Sequence, residues 1–312
     1  MKNALTYFMD KVRFGWAGSS HRQSRSDNPS EITARSATLF NGRTMYVDEN
    51  DTLGIAANGI FETDETLLCQ SLLRPGDRVL DVGANMGYYT VLFAEWAGPE
   101  GKIFAVEPHP SNLSLLELNT IDFRETGRVT VLPYAFSDHD GSEKLYLSKG
   151  NVGMHRLYPS VCCHDEWASV DTRKGDDFSL APLDFIKIDV EGFEFYAMRG
   201  LEQTLRHSPK VKILCEFSPL ALMEGGSSPL EFMRWMFELG FEAQVVDGGV
   251  WRSVAVAELL PQLERLECID KENVITSASG KDAEAVADLA MTVCREAGYT
   301  RPILENFLFV RL

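Results

Sequence analysis

Five short runs of β-branched and apolar residues constrain this chain more than anything else in it: RVLDV (78–82), KIFAVE (102–107), RVTVL (128–132), DFIKIDV (184–190) and VKILCEF (211–217). Continuous apolar runs of that length belong to strands buried on both faces. Most are separated by stretches with helical punctuation. Tyr88 to Ala97 is apolar and stops at Gly98, Ser111 stands where it can cap LSLLEL, and Phe195, Met198, Leu201 and Leu205 recur at helical spacing along Glu194 to Leu205. Alternation of strand and helix predicts an α/β fold, a doubly wound parallel sheet covered on both faces.

The rest of the chain is organised around that core. At the N-terminus, Leu5, Phe8, Met9, Val12 and Trp16 form one face of a short helix expected to pack on the protein's own body, and the polar residues 19–30 read as a linker. Asp140-Gly141 between alternating residues predicts a hairpin, and 150–180 reads as a long irregular stretch where an acceptor-binding loop would be inserted. Ser228, Pro229, Glu231 and Gly240 punctuate a strong helix, residues 281–297 predict another, and FLFVR (307–311) a final strand. A division near residue 54 follows: a lead-in over 1–54, then a domain over 55–312 with an insertion at 250–304.

Thirty Lys and Arg against 46 Asp and Glu give a net charge of −16, a field that repels a phosphate backbone, and no basic stripe offsets it. Nucleic acid is therefore not expected as a partner. Asp10, Lys11 and Arg13 interrupt the apolar N-terminus, so neither a signal peptide nor a membrane span is expected. The six cysteines show no CxxC spacing, which fits a reducing, cytoplasmic compartment, and the adjacent Cys162, Cys163 and His164 are poorly disposed to share one zinc ion.

The chemistry is concentrated where RVLDV runs into GANMG. Asp81 lies at the end of the strand, and Gly83 and Gly87 lie in the turn that opens the next helix, the edge where doubly wound folds bind ligands. Twenty residues after Gly87 the next strand ends in Glu107, placed to accept hydrogen bonds from the ribose hydroxyls of an adenosine ligand. Asn85 stands where a dinucleotide fingerprint has its central glycine, and a carboxylate at Asp81 would repel a diphosphate. Both features favour S-adenosylmethionine, which brings a cationic sulfonium and ammonium, over NAD.

With those residues in view, the sequence resembles the FkbM-type S-adenosylmethionine-dependent methyltransferases. The resemblance is carried by VLDVGANMGYYTVLFA (79–94), VEPHPSNLSLLELN (106–119), AFSDHDG (135–141), PLDFIKIDVEGFEFYAMRG (182–200), ILCEFSP (213–219), NFLFVR (306–311) and the lead-in IFETDET (60–66). It implies a Rossmann-like, seven-stranded methyltransferase sheet, mostly parallel with an antiparallel last strand. The implied activity is transfer of a methyl group to a hydroxyl of a sugar, glycan or polyketide-like small molecule, with protein or nucleic-acid methylation, or silent cofactor binding, as alternatives. Carried onto this chain, Asp81, Gly83, Asn85 and Gly87 form the methionine-side loop, Glu107 holds the ribose, and Ser137 and Asp138 border the adenine. Glu62, Tyr88, Pro108 and Asp189 complete the implied cofactor set.

An alcohol acceptor must lose its proton near the transition state, which calls for a positioned base or a metal. Asp189, Lys187, Glu191 and Glu216, at the ends of the fourth and fifth strands, are the catalytic candidates. Lys187 and Asp189 interleave with apolar residues in a buried strand, an unusual place for charge. Glu194 is a further candidate, Glu191 and Glu194 each serve equally as helix caps, and His109 and His155 are further possible bases. No metal is assigned, although Asp189 with Glu191 or Glu216 would suit a magnesium-type ion.

Overall fold

A computed structural model of the chain describes residues 34–148, 150–160, 163, 165–247, 250–269, 283–300 and 305–311. The expected N-terminal helix and linker, and Cys162 and His164, lie outside the described residues.

Strands β1 (Ala34–Thr38) and β2 (Thr44–Asp48) form an antiparallel ribbon in the lead-in. The five expected strands follow in place as β3 (Arg78–Val82), β4 (Lys102–Val106), β5 (Val129–Leu132) and, after an excursion, β9 (Phe185–Ile188) and β10 (Lys212–Phe217). The excursion is a three-stranded sheet of β6 (Ala135–Phe136), β7 (Gly141–Tyr146) and β8 (Trp167–Arg173). Strands β11 (Glu242–Asp247), β12 (Val250–Ser253) and β13 (Glu305–Val310) complete the main sheet.

That sheet has eight strands in the order β12-β11-β13-β10-β9-β3-β4-β5. From β10 through β9, β3 and β4 to β5 every pairing is parallel, while β13 runs antiparallel to both β10 and β11. The expectation of seven strands needs correction. Strand β12 pairs antiparallel with β11 and adds an eighth at the edge, in the stretch expected to be an insertion.

Other corrections are local. The turn at Asp140-Gly141 does not make a hairpin, because the antiparallel partner of β7 is β8, inside the stretch expected to be irregular. Ser111 is not a cap, since His109 holds that position and Pro110 opens the helix Pro110–Asn119. The helix expected over 194–205 is two, Glu194–Arg199 and Glu202–Arg206. A Cβ on Gly200 between them would stand 2.0 Å from the carbonyl oxygen of Ser137, so the chain is pinned against the turn after β6. The helix Pro229–Glu238 begins as expected, with the Ser228 hydroxyl accepting from the Glu231 amide at 2.9 Å.

Alternation along the strands sorts the chemistry onto one side. Leu80, Val82, Ile186, Ile188, Ile213 and Cys215 pack on one face of the sheet against Met198, Leu201, Phe232 and Met236. Val79, Phe185 and Leu214 turn to the other face, against Val91, Phe93, Ile55 and the lead-in residues Met45 and Val47. With a period of two, Asp81, Lys187 and Glu216 share the side of Val79, Phe185 and Leu214. In register, Asp81 stands opposite Lys187.

Candidate active site

The strand order reverses between β3 and β9: the chain runs outward from β3 to β5, then returns to place β9 on the other side of β3. Ligands of open α/β sheets bind beyond the carboxyl ends of strands at such a point, and a cleft opens there between Gly83 and Glu107 on one wall and Asp189 and Glu191 on the other.

The turn after β3 is built for close approach. A Cβ on Gly83, at φ +84°, would stand 2.0 Å from the backbone oxygen of Asp189, so only glycine lets this turn meet the one after β9. Five non-glycine residues among those described have positive φ, and three of them, Glu62, Asn85 and Glu191, are expected site residues. Such backbone is disfavoured for L side chains and concentrates at functional sites.

Hydrogen bonds tie the turn to the end of β4. The amides of Gly83 and Ala84 donate to the carbonyl of Val106 at 3.0 and 2.9 Å. The Asn85 amide donates to one carboxylate oxygen of Glu107 at 2.9 Å, and the His109 amide to the other at 2.8 Å. Burial raises the Glu107 carboxyl to about 7 against these bonds, which favour its charge.

At the opposite wall the Lys187 ammonium bonds Asp189 Oδ2 at 3.1 Å and lies 4.6 Å from the centre of the Tyr89 ring, while the Tyr89 hydroxyl donates to Glu62 at 3.0 Å. Burial pulls the Lys187 ammonium down, but Asp189, Glu62 and Asp81 outweigh it and hold the group above its ordinary value. Lys187 is therefore a cation at neutral pH and a fixed partner of Asp189. Asp81 is 1% exposed, accepts from Thr90 Oγ1 at 2.6 Å, and is raised by burial to about 6.

The structure brings Gly83, Asn85, Glu107, Pro108, Asp189 and Glu191 together on the cleft wall. It places Asp81 and Lys187 behind that wall. Glu216, 5% exposed, lies close by: its carboxylate and those of Asp189 and Glu191 stand within 4.8 Å of one another, a set that a divalent ion could use. Asp189 is paired with Lys187, and Glu191 with Arg156 at 3.4 Å. Gly87 packs on Leu116, and the buried Tyr88 hydroxyl bonds the Phe61 amide and Thr66. Ser137 is fully buried, and Asp138 opens onto a neighbouring groove with Tyr196 and Arg199. Glu194 accepts from the amides of Val190 and Gly192, both at 3.0 Å, and so braces the turn after β9.

Several site residues carry no sequence signal. Segment 150–160 crosses the cleft as a strap. Val152 accepts from Asn112 at 3.2 Å, Tyr158 donates to the Glu191 carbonyl at 2.7 Å, and Arg156 reaches both Glu191 and Glu224, the latter at 3.1 Å. Arg156, Tyr158 and Glu224 lie in stretches with no motif spacing, Asn112 lies within the 106–119 stretch without being singled out by it, and only the fold joins them.

A doubly wound sheet with an antiparallel strand beside β10, a glycine turn after β3 and an acid at the end of β4 defines a Rossmann-like cofactor-binding enzyme scaffold. A profile of the methyltransferase FkbM domain matches residues 81–243, more than half of the chain, and the chain belongs to that family. S-adenosylmethionine is the cofactor.

Among relatives, the chain is 35% identical over 94 residues to the 31-O-demethyl-FK506 methyltransferase FkbM of Streptomyces tacrolimicus, covering 30% of this chain and 35% of that one. It is 29% identical over 147 residues to a protein-L-isoaspartate O-methyltransferase of Triticum aestivum, covering 45% and 60%. These matches span between about a third and three fifths of the relatives' lengths. A solved structure of methyltransferase FkbM from Methylobacillus flagellatus KT is similar over 55% of this chain and 45% of its own, at 18% identity and TM-score 0.33.

Proposed function

We propose that this chain transfers the methyl group of S-adenosylmethionine to a hydroxyl oxygen of a sugar, glycan or polyketide-like small molecule. One observation carries the cofactor half of the reading: the acidic lining of the cleft is Glu107, Asp189 and Glu191, beside Tyr134 and a neutral His155, with no lysine or arginine among the described lining residues. With no cation on the lining itself, such a wall favours a sulfonium and an ammonium over a diphosphate, although Lys187 and Arg156, outside the lining, pair with Asp189 and Glu191. The residues present therefore fit the cofactor. Bound there, S-adenosylmethionine would supply a carbon already activated for in-line displacement.

What remains for the protein is to bind, align and take a proton. Glu107 accepts both ribose hydroxyls, since two carboxylate oxygens offer about four acceptor sites and backbone amides fill two of them. Asp189 stands at the reacting end, its Oδ2 fixed by Lys187, and either takes the acceptor's proton or holds the methionine amine. Glu191 and Glu216 extend the negative wall beside it, which disfavours an anionic acceptor. Asp81, behind the wall, sets the field without touching the ligand. We place the reaction in a reducing, cytoplasmic setting, supported by the six cysteines having neither CxxC spacing nor the density of a disulfide-stapled fold.

The test is formation of S-adenosylhomocysteine with sugar and glycolipid acceptors, followed by mass spectrometry for a gain of one methyl. The similarity to an isoaspartate methyltransferase makes a protein carboxylate the second acceptor to offer. Turnover on protein or RNA alone would overturn the small-molecule reading.

A further inference from the structure

His155 is set apart by the way its two ring nitrogens are used. Nδ1 accepts a hydrogen bond from the Ser148 amide at 3.1 Å, so the neutral ring carries its proton on Nε2. Nε2 is buried and has no hydrogen-bond partner among the described residues, although the ring lines the cleft. A buried N–H without an acceptor is costly, and a ligand seated against this ring relieves that cost by supplying one.

The ring sits at the Glu107 end. It packs edge-on against His109, two residues beyond Glu107, with ring centres 4.5 Å apart and planes at 69°. Its strap neighbour Val152 is fastened to Asn112 on the same side, whereas the Asp189 and Glu191 end is reached by Arg156 and Tyr158.

We infer that His155 is a cofactor-binding residue that donates Nε2–H to an acceptor atom of the adenosine moiety, an inference that rests on the cleft being the S-adenosylmethionine site. His155 is thus a donor and not one of the bases considered from the sequence. Burial and the neighbouring His109 push its pKa down to about 3, so the ring stays neutral throughout the range in which an enzyme works.

Titration with S-adenosylhomocysteine and with 5′-methylthioadenosine, which keeps the adenosine and lacks the amino acid, tests this. His155→Phe keeps an aromatic ring and removes the donor. It should weaken both ligands equally, by about tenfold. His155→Gln, whose amide nitrogen reaches the place of Nε2, should restore most of the loss. If His155→Phe binds both ligands like the unaltered protein, the inference fails while the cofactor site stands. Weakening of S-adenosylhomocysteine alone would put the donor at the methionine end and also overturn the inference. Failure of the unaltered protein to bind either ligand would remove the functional reading and the inference with it. Should the variant not fold, nitrogen-15 spectra of the unaltered protein decide. They should show the Nε2–H tautomer and a marked shift of that signal on adding 5′-methylthioadenosine, and an unmoved signal would contradict the inference.

Discussion

The two walls of the cleft are built on different principles. The Glu107 wall is held by backbone: the turn after β3 hangs from the carbonyl of Val106, and Glu107 is gripped by two amides two and twenty-two residues away. The Asp189 wall has one backbone tie to β3, from the Asp189 amide to the carbonyl of Val82 at 3.1 Å, and is otherwise held by side chains, with Lys187 on Asp189 and with Arg156, from the strap, on Glu191 and Glu224. Backbone-held geometry survives most substitutions nearby, whereas a wall made of ion pairs changes with each partner. A constant cofactor on the first wall and a variable acceptor on the second would suit that division.

Asp189→Asn should break the comparison most severely. It keeps the size, removes the charge and leaves Lys187 without its partner, and turnover should fall by about 10²–10⁴-fold. Cofactor titration separates its two roles, since a base leaves affinity nearly unchanged and a ligand to the amine lowers both. Turnover like that of the unaltered protein would reduce Asp189 to an ion-pair partner within the sheet.

Gly83→Ala attacks the point where the walls meet. A Cβ 2.0 Å from a backbone oxygen, at φ +84°, forces both turns to move. Thermal unfolding should show a loss of about 2–5 kcal/mol.

The acids raised by burial give the comparison a pH signature. Glu107, Glu194 and Glu65 lie at about 7 and Asp81 at about 6, all above their unfolded values. Between the unfolded and folded values the native state binds more protons, so the stability of the unliganded protein should fall as pH rises from about 5 to 8. Cofactor affinity should move the other way, rising several-fold through pH 7 as Glu107 ionises and can accept both ribose hydroxyls. Melting curves and titrations across that range check both signs. The smallest effect is expected from chelation: with Lys187 paired to Asp189 and Arg156 to Glu191, EDTA should leave turnover unchanged, and loss restored by magnesium would reassign Asp189, Glu191 and Glu216 as metal ligands.

The same contrast explains what could be read from the sequence. The first wall is local, so RVLDVGANMG and the acid twenty residues on were enough to place Gly83, Asn85 and Glu107 on one cleft. Period-two alternation put Lys187 and Asp189 on one side of their strand, yet it could not tell a catalytic pair from an ion pair, and the 3.1 Å bond shows the latter present. The strap was legible only as a stretch where an acceptor-binding loop would be inserted and as His155, and its contacts were not, because Arg156 and Tyr158 act through residues 35 and 33 positions away. Strand β12 was missed because its pairing with β11 depends on the edge that β13 creates.

On the proposed function, Glu107 anchors an adenosine cofactor in a cleft whose lining favours cations. Titration calorimetry of S-adenosylhomocysteine and NAD against the unaltered protein and Glu107→Ala tests it most directly. S-adenosylhomocysteine should bind and NAD should not, and Glu107→Ala should lose about 1.5–3 kcal/mol, roughly ten- to a hundredfold in affinity. Binding of NAD at comparable strength, or normal S-adenosylhomocysteine binding by Glu107→Ala, would contradict the account.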